Sequence, residues 1–348
     1  MPSVPLLSLA TAVPPFSISQ DAAKALGREL FAGRKALYDR LQGVFDNAGI
    51  AQRNLVAPPD WYAGNHGWEE RNRVYLEAAE ALFLESARKA IADAGLAPGD
   101  IDGVVTVSTT GIATPSLEAR VGPTFGLRPD VRRVPIFGLG CAGGVSGLAT
   151  AARLASAEPG SRWLFVTVET CSISIRLDTD DPAALVATAL FGDGAAACVV
   201  GGNGPGIASI RDSAEQLWPD TLKIMGWRVE DPGLAVVFDR AIPPFVTDNL
   251  APAIHTMVDR FGLRWSDIGR LCSHPGGAKV VDAIEQALEL EPGSLDLERA
   301  VLRDHGNMSA PTVLFVLQRL LARGLPDNTL LTAFGPGFTC AGLLLERA

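Results

Sequence analysis

Gly99-Asp100-Ile101-Asp102-Gly103-Val104-Val105-Thr106-Val107-Ser108 and Ser266-Asp267-Ile268-Gly269-Arg270-Leu271-Cys272-Ser273-His274 are two versions of one pattern. Each follows a helix-like stretch that ends in Ala94-Gly95-Leu96 or Phe261-Gly262-Leu263, and each passes through a polar turn into a short apolar run. The reading is helix, turn and buried strand, made twice. The echo continues downstream, where residues 142–155 and 308–321 are helix-like runs behind a short polar or glycine-containing turn. Ser108 and Cys141 are 33 residues apart, as are His274 and Asn307. A third pair is Phe191-Gly192-Asp193-Gly194 and Phe334-Gly335-Pro336-Gly337, each beside an apolar strand-like run. One such pair could arise because α/β units resemble one another in composition. Three pairs in the same order predict an α/β protein of two homologous halves, 1–205 and 206–348, joined near the glycine-rich segment 201–206.

The 348 residues are 47% hydrophobic and 20% charged, too apolar for a disordered chain. Apolar segments such as 163–168 and 195–200 are short and bounded by Gly, Asp or charged residues, so no integral membrane segment is expected. The first residues lack a basic region before their apolar ones and are broken by Pro5, Pro14 and Pro15, which predicts no secretory signal. A formal charge of −9 with no Lys/Arg stripe excludes a phosphate-backbone partner, so no nucleic acid is expected. The five cysteines, at 141, 171, 198, 272 and 340, form no C-x-x-C pair. That spacing predicts a reducing cytoplasmic setting with neither a disulfide framework nor a zinc site.

Three segments carry candidate chemistry. Residues 133–144 run from a strand into a glycine-rich turn ahead of a helix, which places Cys141 at a helix N-terminus, where thiolate is favoured over thiol. The same segment also suits a buried structural cysteine in a tight turn. Cys272-Ser273-His274-Pro275-Gly276-Gly277 ends the second-half strand, so His274 leaves a strand end, where α/β sites cluster. His66 and His255 read as structural or surface residues. In Arg303-Asp304-His305-Gly306-Asn307-Met308-Ser309, Asn307 is either a helix N-cap or a site amide, and His305 is a second candidate imidazole. Cys141, His274 and Asn307 fall at matching ends of the two repeats, so superposable halves would bring them together. A thiolate, an imidazole and a carboxamide suit acyl transfer, the sulfur attacking a thioester while the others donate to developing negative charge.

The motifs Gly140-Cys141-Ala142-Gly143, Leu190-Phe191-Gly192-Asp193-Gly194-Ala195-Ala196-Ala197, His274-Pro275-Gly276-Gly277, Gly306-Asn307-Met308-Ser309 and Phe334-Gly335-Pro336-Gly337 resemble, in order, those of the type III polyketide synthases, the chalcone and stilbene synthase family. The resemblance spans nearly the whole chain. It implies the thiolase fold, five alternating αβαβα layers, a homodimer, and acyl-CoA and malonyl-CoA as substrates with no metal or redox cofactor. It also implies that Cys141 accepts the acyl group, that His274 keeps it as thiolate, and that Asn307 with His274 stabilises the enolate of decarboxylated malonyl-CoA. Phe191 would be an aromatic gatekeeper, and Pro336 with Gly337 would shape the cyclisation cavity.

Departures from the plant members bear on substrate. Cys171 and Ser174 stand where plant enzymes line the cavity with threonines. Val236 stands at a second gatekeeper phenylalanine, which would widen the entrance. The run Thr109-Thr110-Gly111-Ile112-Ala113-Thr114-Pro115 looks like bacterial alkylresorcinol and alkylpyrone synthases, with Thr109 and Thr114 lining the cavity; the expectation is a long-chain fatty acyl starter. Arg40 and Arg53 are the nearest candidates to hold CoA. The rival readings are a ketoacyl carrier-protein synthase III, which carries Gln-Ala-Asn after its histidine where this chain has Pro275-Gly276-Gly277, and a non-catalytic thiolase-fold subunit, which would be expected to lose the nucleophile.

Overall fold

Strands covered on both faces read as unbroken apolar runs, and the first-half strands have that character. A computed structural model of the chain describes residues 2–176 and 179–347. Its strands are β1 (Val4–Ala12), β2 (Phe16–Ser19), β3 (Gln52–Leu55), β4 (Gly103–Val107), β5 (Arg132–Ile136), β6 (Arg162–Thr170) and β7 (Asp193–Gly201). Then come β8 (Ala208–Leu217), β9 (Met225–Glu230), β10 (Gly233–Phe238), β11 (Arg270–Ser273), β12 (Thr329–Gly335) and β13 (Thr339–Arg347). The helices of the first half are α1 (Gln20–Leu30), α2 (Lys35–Leu41), α3 (Gly43–Asp46), α4 (Trp68–Asp93), α5 (Leu117–Phe125), α6 (Gly143–Ala157) and α7 (Pro182–Leu190). Those of the second are α8 (Ile242–Arg260), α9 (Ala278–Ala287), α10 (Asp296–His305) and α11 (Thr312–Arg323).

Alternation along the strands assigns the layers. Val104, Leu164 and Val166 face outward onto Tyr75, Phe83 and Ile91 of α4. Their neighbours Val105 and Phe165 face inward onto Val145 and Leu148 of α6. The second half repeats the scheme: Leu330 and Leu344 meet Ile254 and Val258 of α8, whereas Leu331 and Leu343 join the cluster of α6 and α11. Helices therefore lie outside, between and outside two layers of strand. The strands are not two separate sheets, because β1 pairs with β8 near Val4 and with β7 beyond Leu6. Nine of the thirteen described strands run in one hydrogen-bonded order, β11-β12-β13-β8-β1-β7-β6-β4-β5, and the other four form the two-stranded pairs β2-β3 and β9-β10.

The repeated pattern has repeated geometry. Asp100 accepts from the Ala97 N–H at 2.8 Å, and Asp267 from the Arg264 N–H at 2.9 Å, each closing a single 3-10 turn just before β4 and β11. The helix starts differ from the expectation. α6 begins at Gly143, behind a 3-10 turn over Gly140–Ala142, and α11 at Thr312, behind a turn in which Ser309 has φ of 59°. Thr312 Oγ1 accepts from the Met308 N–H at 3.0 Å and donates to the Ser309 carbonyl, which holds that turn out of the helix. Among the described residues, no helix is long and apolar enough to cross a membrane.

Glycines let α6 approach this turn. A Cβ on Gly144 would stand 2.2 Å from the Ala310 carbonyl oxygen, and one on Gly143 would stand 2.5 Å from Val107 Cγ1. Gly144→Ala is expected to lower stability by about 1–3 kcal/mol through overpacking against backbone. Scanning calorimetry checks it; an unchanged melting temperature would mean that the contact yields freely.

Candidate active site

Cys141 sits in the 3-10 turn ahead of α6 and is 8% exposed. Gly140, at φ of 50°, turns the chain, and a side chain there would meet Pro336 at 2.6 Å. The close approach of α6 to Ala310 brings Ser309 alongside Cys141, and the Ser309 side chain acts to lower the pKa of the thiol.

Asn307 is 1% exposed and reaches the same place by a different route. Its N–H donates to the Leu190 carbonyl at 2.8 Å, and the Gly192 N–H donates to its carbonyl at 3.0 Å, an isolated parallel bridge that stitches Phe191 to Asn307 across the two halves. Its Oδ1 accepts from the Ser309 N–H at 2.8 Å and its Nδ2 donates to the Gly276 carbonyl at 3.0 Å. The N-cap reading of Asn307 is set aside, because Pro311 occupies the N-cap of α11. His274, 2% exposed, follows the end of β11 and donates its N–H to the Thr332 carbonyl at 2.8 Å. Neither of its ring nitrogens has a partner among the described residues. Ser309, Asn307 and Gly276 thus form a hydrogen-bonded path that starts beside Cys141 and ends two residues from His274.

Burial dominates the electrostatics. It pushes the Cys141 thiol up to about 12, with the Ser309 side chain opposing, and the His274 imidazole down to about 3. The helix N-terminus expected to favour thiolate is outweighed by desolvation of a lone charge. Charges formed as a pair, by moving the proton from sulfur to imidazole, would instead stabilise each other.

The surrounding wall is apolar. Phe191, Cys171 and Val236 pack together with Ala183 and Ala187. Trp227 and Phe238, not singled out from the sequence, lie with ring centroids 6.0 and 5.7 Å from Phe191. They pack against the same cluster as the small Val236. Residue pairing across β9 and β10 is the signal that could have found them, since Trp227 lies opposite Val236. Ser174 is buried, its hydroxyl committed to the Cys171 carbonyl at 2.6 Å. Thr109 is buried and gives its N–H to Glu169, while its Oγ1 has no partner among the described residues. Glu169 was also missed; fully buried, its carboxyl is pushed up to about 7 by desolvation, against the Thr109 N–H and the Thr110 hydroxyl. Pro336 abuts Gly140, while Gly337 packs outward near Leu217.

Other candidates stand apart. Thr114 is exposed on the loop after β4 and does not join the buried cluster of a single chain. Arg53 is 2% exposed, wedged against Gly192 and Gly306 in the field of Asp193, so it has no face free for CoA. Arg40 is exposed in the last turn of α2. His305 packs edge-on against Phe315, with Nε2 3.4 Å from Arg319, in a recess beside β1 rather than with Cys141. His66 stacks on Trp61, and His255 is exposed. Among the described residues, no group of three His, Cys, Asp or Glu is placed to hold a metal.

Residues 51–205 match a family model described as chalcone and stilbene synthases, N-terminal domain, and residues 209–348 match the corresponding C-terminal domain. The chain is 39% identical over 345 residues to a 1,3,6,8-tetrahydroxynaphthalene synthase of Streptomyces peucetius subsp. caesius, covering 97% of this chain and 91% of that one. It is 31% identical over 295 residues to type III polyketide synthase B of Arabidopsis thaliana, covering 80% and 75%. The crystal structure of the 1,3,6,8-tetrahydroxynaphthalene synthase from Streptomyces coelicolor A3(2) superposes with a TM-score of 0.93 at 30% identity, covering 99% of each chain.

Alkylation of Cys141 by iodoacetamide, followed against pH by mass spectrometry of its peptide, tests the proton exchange. The midpoint in His274→Gln is expected about two units or more above that of the unsubstituted chain. Coincident profiles would show that the imidazole does not take the proton.

Proposed function

The chain belongs to the chalcone and stilbene synthase family, the type III polyketide synthases, and has their thiolase fold; on that premise we propose that Cys141 carries the growing acyl chain while His274 and Asn307 act on malonyl-CoA. It is a condensing acyltransferase. The observation that carries the residue assignment is the buried hydrogen-bonded path from Ser309, alongside Cys141, through Asn307 to Gly276, close to an imidazole whose ring nitrogens have no partner among the described residues.

The steps follow from these groups. Cys141 passes its proton to His274 as sulfur attacks the acyl-CoA carbonyl; the thioester exchanges, and CoA leaves as the thiol with that proton. Malonyl-CoA then loses carbon dioxide, and the electron pair of the broken C–C bond becomes an enolate. His274 and the second Nδ2 hydrogen of Asn307, the first being held by Gly276, donate to the enolate oxygen. The enolate carbon attacks the Cys141 thioester, expelling the thiolate and leaving a β-ketoacyl-CoA two carbons longer. Reloading onto Cys141 permits another round. Burial favours this chemistry, since fixed donors act more strongly on developing charge where water is excluded. Exposed Arg40 is the remaining candidate among the named residues for CoA phosphate.

Two starters are weighed. The segment 109–117 favours a long-chain fatty acyl group, closed to an alkylresorcinol or alkylpyrone. The packing of Trp227 and Phe238 on Phe191, with the similarity to tetrahydroxynaphthalene synthases, favours a compact aromatic product with no alkyl tail. Mass spectrometry of products from malonyl-CoA alone and with acyl-CoAs of increasing length separates them. A ten-carbon product from malonyl-CoA alone selects the second; a single β-ketoacyl product without a ring would move the chain to a one-condensation role. Cys141→Ala is expected to abolish product in every case.

A homodimer is part of this reading. β5 ends the sheet with its outer edge free, and Phe137 just beyond it is 62% exposed. Phe137→Glu is expected to shift the mass measured by light scattering toward one chain; an unchanged dimer would place the interface elsewhere. Five free, buried cysteines support a reducing, cytoplasmic setting.

A further inference from the structure

β11, which leads into His274, is the opposite edge of the sheet and pairs only with β12. The His274 N–H points to β12, where Thr332 accepts it. The preceding N–H, that of Ser273, is directed to the unpaired side, yet Ser273 is buried, and a buried N–H without a partner is costly. A side chain supplies what a further strand would have supplied. Glu298 of α10 accepts the Ser273 N–H on Oε1 at 3.1 Å, and its Oε2 accepts from Arg270 Nη2 at 2.7 Å. Arg270 also donates to the Ser294 carbonyl at 2.8 Å and lies 3.7 Å from Asp296.

Glu298 is 0% exposed. Burial raises its carboxyl to about 7, opposed by Arg270 and by the Ser273 N–H. A buried helix position would not require so costly a group unless its two bonds mattered. What they join is notable for its neighbours. α10 ends at His305 and passes through Gly306 directly to Asn307, whose backbone is bridged to Leu190 and Gly192. β11 ends at Ser273 and passes directly to His274.

We propose that Glu298 is a positioning residue: its two carboxylate oxygens, holding the Ser273 N–H and the Arg270 guanidinium, fix the strand end that carries His274 to the helix that delivers Asn307. The relative placement of the two groups acting on malonyl-CoA follows from that tie. The inference rests on the roles proposed above for His274 and Asn307.

The test compares Glu298→Leu and Glu298→Gln in malonyl-CoA decarboxylation. The leucine variant removes both acceptors and is expected to lower kcat by about ten- to a hundredfold, with KM changed by less than about threefold. The glutamine variant keeps an acceptor for Ser273 and is expected to stay within about threefold of the unsubstituted enzyme. Full kcat in the leucine variant, a rise in KM alone, or equal losses in both variants would overturn the proposal. Should the leucine variant not fold, a loss of more than about tenfold in the glutamine variant overturns it as well. Amide hydrogen exchange reads the tie without any reaction: in Glu298→Leu, segments 270–276 and 304–309 are expected to exchange faster together, and unchanged protection in either contradicts the tie. An unsubstituted enzyme that leaves malonyl-CoA intact counts against the function assigned to His274 and Asn307, and exchange still decides the role of Glu298.

Discussion

The approach of α6 to the turn at Ser309 and Ala310 is the constraint on which the site depends. Gly144 stands where a methyl group would strike the Ala310 carbonyl, and Gly143 stands where one would strike Val107. Only because these positions lack side chains can the nucleophile from the first half meet the polar turn of the second. The bridge between Phe191 and Asn307 fastens the same junction from the other side. Both contacts cross between halves that also share one hydrogen-bonded sheet, which anchors the residues proposed as catalytic to the core.

Within that junction, polar groups divide by how fully they are satisfied. Asn307 is held at both ends of its carboxamide, Asp193 accepts from Val56 and Ser172, and Glu298 has a donor on each oxygen. Such groups set shape, since each has little freedom left. The ring nitrogens of His274 are the contrast, being buried with no partner among the described residues. An imidazole left in that state is a donor and an acceptor reserved for something that enters. Burial favours the neutral form of both this imidazole and the Cys141 thiol.

The framework was legible in the sequence because it rests on local chemistry that repeats. Asp100 and Asp267 close the same turn before equivalent strands, and strict two-residue alternation sorts Val104 from Val105 and Leu330 from Leu331. The burial of Cys141, His274 and Asn307 fits the same pattern, each leaving a strand or turn at a matching point of the repeat, and their shared role is the proposal made above. What escaped depends on contacts between distant segments. Trp227 and Phe238 reach Phe191 from the β9–β10 hairpin, and only the register of that pairing, with Trp227 opposite Val236, could have pointed to them. Arg53 looked like a phosphate ligand by charge, and only its packing against Gly192 and Gly306 reveals a buried role. Thr114 looked like a wall residue by its neighbours in sequence, yet the loop carries it to the surface.

The claim that the sulfur, imidazole and carboxamide serve one reaction centre is tested most directly by a crystal structure of Cys141→Ala with malonyl-CoA bound. The account predicts the malonyl thioester oxygen within hydrogen-bonding distance of both His274 and Asn307 Nδ2, with the carbon to be attached turned toward residue 141. A malonyl group seated away from either side chain, with the pocket beside residue 141 closed to it, would contradict the account.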